Sequence, residues 1–364
     1  MKDIIKRDSI ERYTILITTY NRSNYLRRLL SYYNKFGENY NMIIVDSSSN
    51  ENKKINKNII SKFSKLNILY IDKYSPTVKG HQKLLDAINQ IETKYSVYCA
   101  DDDFITPNGI NQSVDFLEKN PDFSCAHGHY ISFYLKTNKT GGKEIYWRPI
   151  YPFKSISFAN AKERLSFHFS SYYPTIYAVH RTDLLKLIFK DAVKFTDDYR
   201  FGELLPSMLD SVYGKMMKID VLYSARERIV GSAGQTSKNL NDFIKNGTCE
   251  KKYNKFRECL AKALVSVEDI SKEKAYKIID KAMNKYLGSS IFKLKLKAGL
   301  KRIIEHNVLL KKLYLVYRQF KTSKKQISML DRLPAIEYDN QENMYYEDFI
   351  RIKEIIEGYY KIDE

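Results

Sequence analysis

Residues 95–109, YSVYCADDDFITPNG, join a short apolar run directly to three consecutive carboxylates. The run Tyr95–Ala100 has the aromatic and β-branched content of a buried strand, and it stops at Asp101–Asp103. Carboxylates this close together repel one another unless a cation neutralises them. The triplet therefore indicates a site for a hard divalent cation, Mn²⁺ or Mg²⁺, or else a solvated acidic turn ahead of a helix that begins near Pro107.

The sequence before this triplet alternates short apolar runs with amphipathic stretches. The runs Tyr13–Thr18, Asn41–Val45 and Leu66–Ile71 predict three further strands. Helical spacing in Ser23–Tyr33 and Gly80–Ile91 predicts helices between them. Such alternation indicates a mainly parallel sheet, in which ligands lie beyond the carboxyl ends of the strands. We therefore expect the polar loops after these strands to converge on one cleft.

The pattern changes in the second half of the chain. Residues 124–232 mix predicted strands, including Thr175–Val179, with predicted helices. Beyond Asn239 helical patterns of Lys, Leu, Ile and Ala dominate. We expect an α/β domain, a basic helical region and an acidic tail, over residues 1–235, 236–330 and 331–364.

The excess positive charge is concentrated in one segment. The chain has 61 Lys and Arg against 43 Asp and Glu, a net charge of +18, and residues 281–325 contribute 13 Lys and Arg against one Glu. A helix with a Lys-rich face and an apolar stripe can lie on an anionic membrane surface, or its stripe can pack on the preceding domain. Nucleic acid is not expected as a partner, because aromatic residues are few in this segment and no known RNA- or DNA-binding motif occurs.

Several classes of protein lack support. The four cysteines form no CxxC pair, the charged N-terminus has no apolar signal segment, and no apolar run is long enough to span a membrane. We therefore expect a cytoplasmic chain, which could also lie peripherally on the inner face of the cytoplasmic membrane. The sequence has no motif of the dinucleotide-binding, P-loop, zincin or serine-hydrolase proteins.

Cys125, His127 and His129 alternate along one predicted strand, which indicates strand packing or a metal site.

Three segments in this order resemble the nucleotide-sugar-binding half of the family 2 glycosyltransferases: TILITTYNRSNYLRRLL at 14–30, IIVDSSSN at 43–50 and YCADDDFITPNGI at 98–110. The resemblance covers about residues 12–232. It implies a GT-A fold, which is a Rossmann-like nucleotide-diphospho-sugar transferase domain. It also implies a DXD-type metal motif. Among the members of the family, the resemblance is to the enzymes of bacterial surface-polysaccharide synthesis. The positions that match the family's donor-binding loops are Thr18, Thr19, Tyr20, Asn21, Arg22, Asp46, Asp101, Asp102 and Asp103.

The triplet departs from the family pattern. The family has D-x-D-D with Pro four residues after the last Asp, and aligning on Pro107 places Ala100 at the first Asp. Asp101 and Asp103 still form a D-x-D by themselves. By this resemblance we assign the metal to Asp103, and contacts with the nucleotide sugar to Asp101 and Asp102.

The resemblance also implies a general base. The family carries an acidic pair at a helix start, and Gly follows the second acid after eleven residues. Glu203 stands eleven residues before Gly214, and Gly202 takes the first acidic position. Glu203 is therefore the predicted base, a role that suits a partly buried carboxylate. Asp197 and Asp198 are the alternatives. The other interpretation is a carboxylate at a helix start without a catalytic role.

The resemblance implies further contacts near the cleft. Lys79 and either Arg226 or Arg228 would contact the diphosphate, and the acceptor would be contacted by His180, Arg181 and Asp198.

These expectations describe an inverting, metal-dependent enzyme that moves a sugar from a UDP-, GDP- or CDP-linked donor to a glycan or lipid-linked glycan hydroxyl, as in capsule or lipooligosaccharide synthesis. Two alternatives remain at this stage. A GT-A-fold transferase of nucleotidyl or phosphate groups would need the triplet but no base at Glu203. A non-enzymatic protein that binds polyanions or membranes would carry acidic loops of structural importance only.

Overall fold

The computed structural model describes residues 12–75, 80–137, 143–149, 153–196, 199–229, 249–288 and 341–361. Within them, one sheet contains the strands β1 (Tyr13–Thr19), β2 (Asn41–Asp46), β3 (Asn67–Ile71), β4 (Tyr95–Ala100), β5 (Asp103–Ile105), β6 (Phe123–Thr137), β7 (Lys143–Pro149), β8 (Val179–Arg181) and β9 (Lys215–Glu227). The helices are α1 (Ser23–Asn34), α2 (Asn50–Ile60), α3 (Gly80–Ile88), α4 (Pro107–Lys119), α5 (Ala161–Ser170), α6 (Thr182–Phe195), α7 (Tyr199–Tyr213), α8 (Cys249–Val267), α9 (272–288) and α10 (Tyr346–Lys361).

The first half of the sheet is parallel, in the order β3-β2-β1-β4. Thr18 of β1 lies between Val45 of β2 and Ala100 of β4, so these three strands end at the same edge. The polar loop after β1, the loop after β2 and the acidic triplet after β4 therefore meet there. This arrangement confirms the predicted α/β class.

The second half of the sheet is mixed. β8 pairs antiparallel with β4 and with β6, while β9 pairs parallel with β6. The short β5, which begins at Asp103, pairs antiparallel with the end of β9, so that Asp103 lies opposite Arg226. The acidic triplet is thus held between the end of β4 and the end of β9.

Helices cover both faces of the sheet. Buried residues of α1, α4 and α10 form one apolar core with the sheet, and those of α3 and α5 to α9 form the other. Phe256 of α8 packs on Phe201 of α7 with ring centroids 4.9 Å apart. The helices after residue 248 therefore share the core of the α/β domain, which confirms a C-terminal helical region; the boundaries at 235 and 330 stay predictions.

The basic segment 281–325 lies mostly outside the described residues, which include only its first eight positions. Among the helices that the structure describes, none combines the length and apolar character needed to span a bilayer.

Candidate active site

The loop after β1 reaches the acidic triplet directly. Thr19 donates from Oγ1 to Asp101 Oδ2 at 2.8 Å. Arg22 donates from Nη1 to Asp102 Oδ2 at 2.7 Å and lies 3.5 Å from Asp101 Oδ1. The Arg22 side chain remains 32% exposed and that of Asp102 13% exposed. The guanidinium of Arg22 therefore contacts two of the three carboxylates from the partly exposed side of the cluster.

The shape of this loop depends on Asn21. Its backbone has φ 53°, in the left-handed region that Asn tolerates better than most residues. Its N–H donates to Ser48 Oγ at 2.7 Å, and its side-chain oxygen accepts from the Ser49 N–H at 2.9 Å. These bonds join the loop after β1 to the loop after β2. The adjacent Tyr20 is 52% exposed.

Asp46 is enclosed at the end of β2. Its Oδ1 accepts from the Ser48 N–H at 2.7 Å, and its Oδ2 accepts from Asn56 Nδ2 at 2.7 Å and from the Tyr70 hydroxyl. The residue is 0% exposed. Asp46 therefore holds the loop after β2 in place. Its contact with a nucleotide stays a prediction.

Asp103 differs from its two neighbours in the triplet. Its Oδ2 accepts from Arg226 Nε at 2.9 Å, and its Oδ1 accepts from the Glu227 N–H at 3.1 Å. Both oxygens are thus occupied by donors from β9, and the residue is 2% exposed. The assignment of the metal to Asp103 stays a prediction, and Asp102, whose side chain is 13% exposed, is the alternative that this geometry favours.

The pKa values of two carboxyl groups in the triplet are raised. Burial and the charge of Asp102 raise the pKa of Asp101 to about 7. Burial likewise raises the pKa of Asp103 to about 6, although Arg226 opposes this effect. Carboxylate oxygens with raised pKa values at a partly exposed edge suit a hard divalent cation, which would replace the protons. The residues present therefore fit Mn²⁺ or Mg²⁺ held by Asp101 and Asp102.

Arg28 holds the backbone of the triplet in place, although no sequence pattern singles it out. Its side chain is 1% exposed and donates to Asp102 O at 2.9 Å and to Glu227 Oε2 at 2.6 Å. The guanidinium also lies 5.0 Å from the ring centroid of Phe104 and 5.7 Å from that of Phe133. Arg28 thus joins α1, the acidic loop and the end of β9 from inside the core.

Glu203 lies near the start of α7. The Tyr172 hydroxyl donates to Glu203 Oε1 at 3.2 Å. In the same segment, which leads from Tyr172 into β8, the Tyr177 hydroxyl accepts from Arg226 Nη2 at 2.9 Å, and Arg226 also donates to Asp103. The segment between α5 and β8 therefore contacts both Glu203 and the arginine that binds the triplet, and the role of Glu203 as the base stays a prediction.

Two glycines allow α7 to lie close to its neighbours. A Cβ on Gly214 would lie 2.5 Å from Ser124 N, so the far end of the helix touches the start of β6. A Cβ on Gly202 would lie 1.9 Å from His81 Cε1. The imidazole of His81 therefore takes the space that a side chain at the first acidic position would need. Sequence reasoning noted the missing acid at Gly202 but did not identify His81.

Two residues predicted to face the acceptor lie elsewhere. His180 is 1% exposed, with Nδ1 2.9 Å from Ala178 O and Nε2 3.1 Å from Asp210 Oδ2. Arg181 donates to Phe123 O at 3.1 Å, at the edge of the sheet opposite the acidic loops. These positions correct both predictions, because β8 runs antiparallel to β4 and so ends away from the cleft.

The cysteine and histidines that alternate along β6 do not act together. Cys125 lies with His180 and Asp210, their ligand atoms within 4.8 Å of one another. His127 packs among aromatic rings, and His129 contacts Asp220 on the surface. Strand packing is thus the interpretation that the structure supports for this pattern.

Of the remaining predicted site residues, the structure describes two, Thr18 and Arg228. Thr18 Oγ1 shares a hydrogen bond of 2.7 Å with the Tyr98 hydroxyl at the end of β4. Arg228 is exposed, and its N–H donates to Phe133 O at 2.8 Å just after β9. Lys79, Asp197 and Asp198 lie outside the described residues.

Comparison with known proteins gives one family. Residues 14–176 match the family described as Glycosyl transferase family 2. Solved structures similar to this chain include S. aureus TarS 1–349 in complex with UDP-GlcNAc, with 17% identity, a TM-score of 0.49, and 76% of this chain and 73% of that chain covered. They also include the mannosyltransferase PcManGT from Pyrobaculum calidifontis in complex with GDP-Man and Mn²⁺, with 13% identity, a TM-score of 0.47, and 92% and 88% covered. None of the curated proteins compared with the chain matches it.

Proposed function

We propose that the chain is a metal-dependent, inverting glycosyltransferase of the GT-A fold that uses a nucleotide-diphosphate sugar. The match of residues 14–176 to the glycosyl transferase family 2 supports this proposal. The observation that supports this proposal best is the convergence of Thr19, Arg22, Asp101 and Asp102 at the carboxyl ends of β1 and β4. A cluster of this composition suits a divalent cation and a diphosphate together.

On the donor side, Asp101 and Asp102 would hold Mn²⁺ or Mg²⁺. When bound, the cation supplies positive charge to the two phosphates of the donor and stabilises them as they leave. Arg22 is partly exposed and adds a permanent positive charge beside the same carboxylates. Arg28 and Asp103 hold the loop backbone in place, so these oxygens need little rearrangement when the donor binds.

On the acceptor side, Glu203 acts as the general base. Its carboxylate takes the proton of the acceptor hydroxyl while the hydroxyl oxygen forms a bond to the anomeric carbon of the donor. The bond from that carbon to the phosphate oxygen breaks, and the nucleoside diphosphate leaves with the electron pair. Because attack and departure occur on opposite faces of the sugar, the configuration inverts.

A thermal-shift screen of the full-length chain tests this proposal. UDP, GDP, CDP, UDP-GlcNAc and GDP-Man are each added with Mn²⁺, with Mg²⁺ or with EDTA. We expect one nucleotide to raise the Tm by several degrees with the cation and by much less with EDTA, since a ligand stabilises the state that binds it. If no nucleotide raises the Tm under any condition, the proposal fails.

For the cellular setting, we propose synthesis of a surface glycan in the cytoplasm, at the inner face of the membrane. The net positive charge of residues 281–325 favours an anionic lipid surface, where each Lys or Arg adds about 1 kcal/mol. The acceptor would be a glycan or a lipid-linked glycan. The proposed arrangement is a catalytic domain over 1–235, basic helices over 236–330 and an acidic tail over 331–364.

Vesicle flotation tests the membrane contact. The full-length chain is expected to float with phosphatidylglycerol vesicles at low salt, and not with phosphatidylcholine vesicles. High salt should release it, because the attraction between exposed charges is screened. Equal flotation with both lipids, or none with either, would contradict this proposal.

A further inference from the structure

Glu203 lies beside tyrosines from two distant parts of the chain. The Tyr172 hydroxyl contacts its carboxylate at 3.2 Å. Tyr286 of α9 packs edge-on against the ring of Tyr172, with centroids 5.8 Å apart. Burial and the charge of Glu203 both raise the pKa of the Tyr286 phenol. The helical region therefore supplies a side chain that packs on the tyrosine bonded to the proposed base.

Helix α9 holds Tyr286 firmly while leaving it partly open. Its residues Ala282 and Met283 are 5% and 3% exposed and belong to the core shared with α7 and α8. The ring of Phe169 lies 6.1 Å from that of Tyr286. Tyr286 itself is only partly buried, as is Tyr172. An aromatic side chain fixed on one side and open on the other is suited to binding a ligand.

Two further tyrosines, Tyr177 and Tyr98, are also partly exposed. Tyr177 lies in the same segment as Tyr172, and its ring packs against that of Tyr98 with centroids 5.4 Å apart. The Tyr98 hydroxyl bonds Thr18, in the strand that carries the donor loop. Tyr177 and Tyr98 therefore connect this segment with the strand that carries the donor loop.

These side chains favour one class of ligand. A phenol offers a flat apolar face and a hydroxyl at its edge. A sugar ring has a complementary form, with C–H groups across its face and hydroxyls around its rim. A lipid chain would instead call for an apolar lining without a carboxylate, because an unpaired charge beside it is costly.

We propose that Tyr286 and Tyr172 form a subsite for the acceptor, which binds a sugar ring so that one of its hydroxyls lies at Glu203. This inference rests on the proposed function, since it takes Glu203 as the base. It adds which side chains bind the reacting sugar of the acceptor, and that α9 is part of the active site.

The test uses the full-length chain with the nucleotide and Mn²⁺ that the thermal-shift screen identifies. Methyl glycosides of glucose, galactose, mannose and N-acetylglucosamine serve as probes, and binding is measured by saturation-transfer NMR. We expect at least one glycoside to bind the wild type, and Tyr286→Ala to weaken that binding by about fivefold or more, the loss typical of an aromatic contact. Tyr172→Phe keeps the ring and should retain most of the binding.

Tyr276→Ala is the matched control, because Tyr276 lies on the same helix but contacts Arg257, whose guanidinium is 4.0 Å from its ring centroid. This variant should bind the glycoside as the wild type does. Nucleotide binding by each variant reports on its folding. If the wild type binds nucleotide but no glycoside, or if both alanine variants weaken the glycoside equally, the subsite is refuted while the proposed function stands. If no nucleotide binds, the proposed function itself fails.

Discussion

A Glu203→Gln variant is expected to lose sugar transfer while it keeps the donor. Glutamine has nearly the same shape and can still accept the hydrogen bond that Tyr172 donates to Glu203 Oε1. It cannot accept the proton of the acceptor hydroxyl, and loss of a general base lowers turnover by about 10² to 10⁴. The measurement is kcat from release of the nucleoside diphosphate, together with the Kd of the nucleotide in the presence of Mn²⁺.

The control for this variant is Glu163→Gln, in the first turn of α5. It makes the same chemical change in a residue outside the proposed site, and it should leave both kcat and Kd unchanged. Full turnover by Glu203→Gln would exclude Glu203 as the base and direct attention to Asp197 or Asp198. A large rise in the nucleotide Kd would instead assign Glu203 to donor binding. The expected pattern, a fall in kcat with an unchanged Kd, is specific to a group that acts in the chemical step.

The parts of this site that could be predicted from sequence are those set by local patterns. β1, β2 and β4 each show as an apolar run followed by polar residues, and a parallel sheet brings such ends together. The meeting of the loop after β1 with Asp101 and Asp102 follows from this rule. Prediction was also adequate for α3, which runs to Ile88 where the pattern predicted Ile91.

The parts that could not be predicted depend on contacts between distant residues. Arg28 and Glu227 are 199 positions apart, and nothing in a Lys- and Arg-rich sequence distinguishes the buried Arg28 from exposed arginines. Both carboxylate oxygens of Asp103 accept hydrogen bonds from β9. The sequence of the triplet alone does not predict these bonds, because their donors lie more than 120 positions further along the chain. Of the predicted strand Thr175–Val179, only Val179 belongs to β8, and a turn precedes it, so His180 lies within the short strand and not after it.

An Asp102→Asn variant is expected to lose the effect of Mn²⁺ on nucleotide binding. Asp102 accepts from Arg22 at the partly exposed side of the triplet, and its carboxylate is the one best placed to bind a cation. Removing one carboxylate ligand should weaken Mn²⁺ by about 100-fold, and kcat should fall by at least as much, because the leaving diphosphate then lacks its main positive charge. Isothermal titration with Mn²⁺, with and without nucleotide, measures the first effect.

Asp103→Asn provides the contrast, since it changes the same functional group one residue away. Asp103 is buried against Arg226, and removing one partner of a buried pair leaves the other charge uncompensated. We expect a Tm lower by several degrees, with Mn²⁺ still strengthening nucleotide binding. If Asp103→Asn abolishes the Mn²⁺ effect and Asp102→Asn does not, the metal belongs to Asp103, as the sequence pattern alone had indicated.

The pH dependence of Mn²⁺ binding gives an independent check on this cluster. The pKa of Asp101 is about 7 in the folded chain, so a proton competes with the cation below that pH. The apparent Kd of Mn²⁺ should be about tenfold weaker at pH 6 than at pH 8. Since the pKa is raised above its unfolded value, the ionised carboxylate destabilises the fold without metal, and the Tm should fall as pH rises from about 4 through 7. Mn²⁺ should restore the lost stability most strongly at pH 8, and a Tm gain independent of pH would contradict binding at these carboxylates.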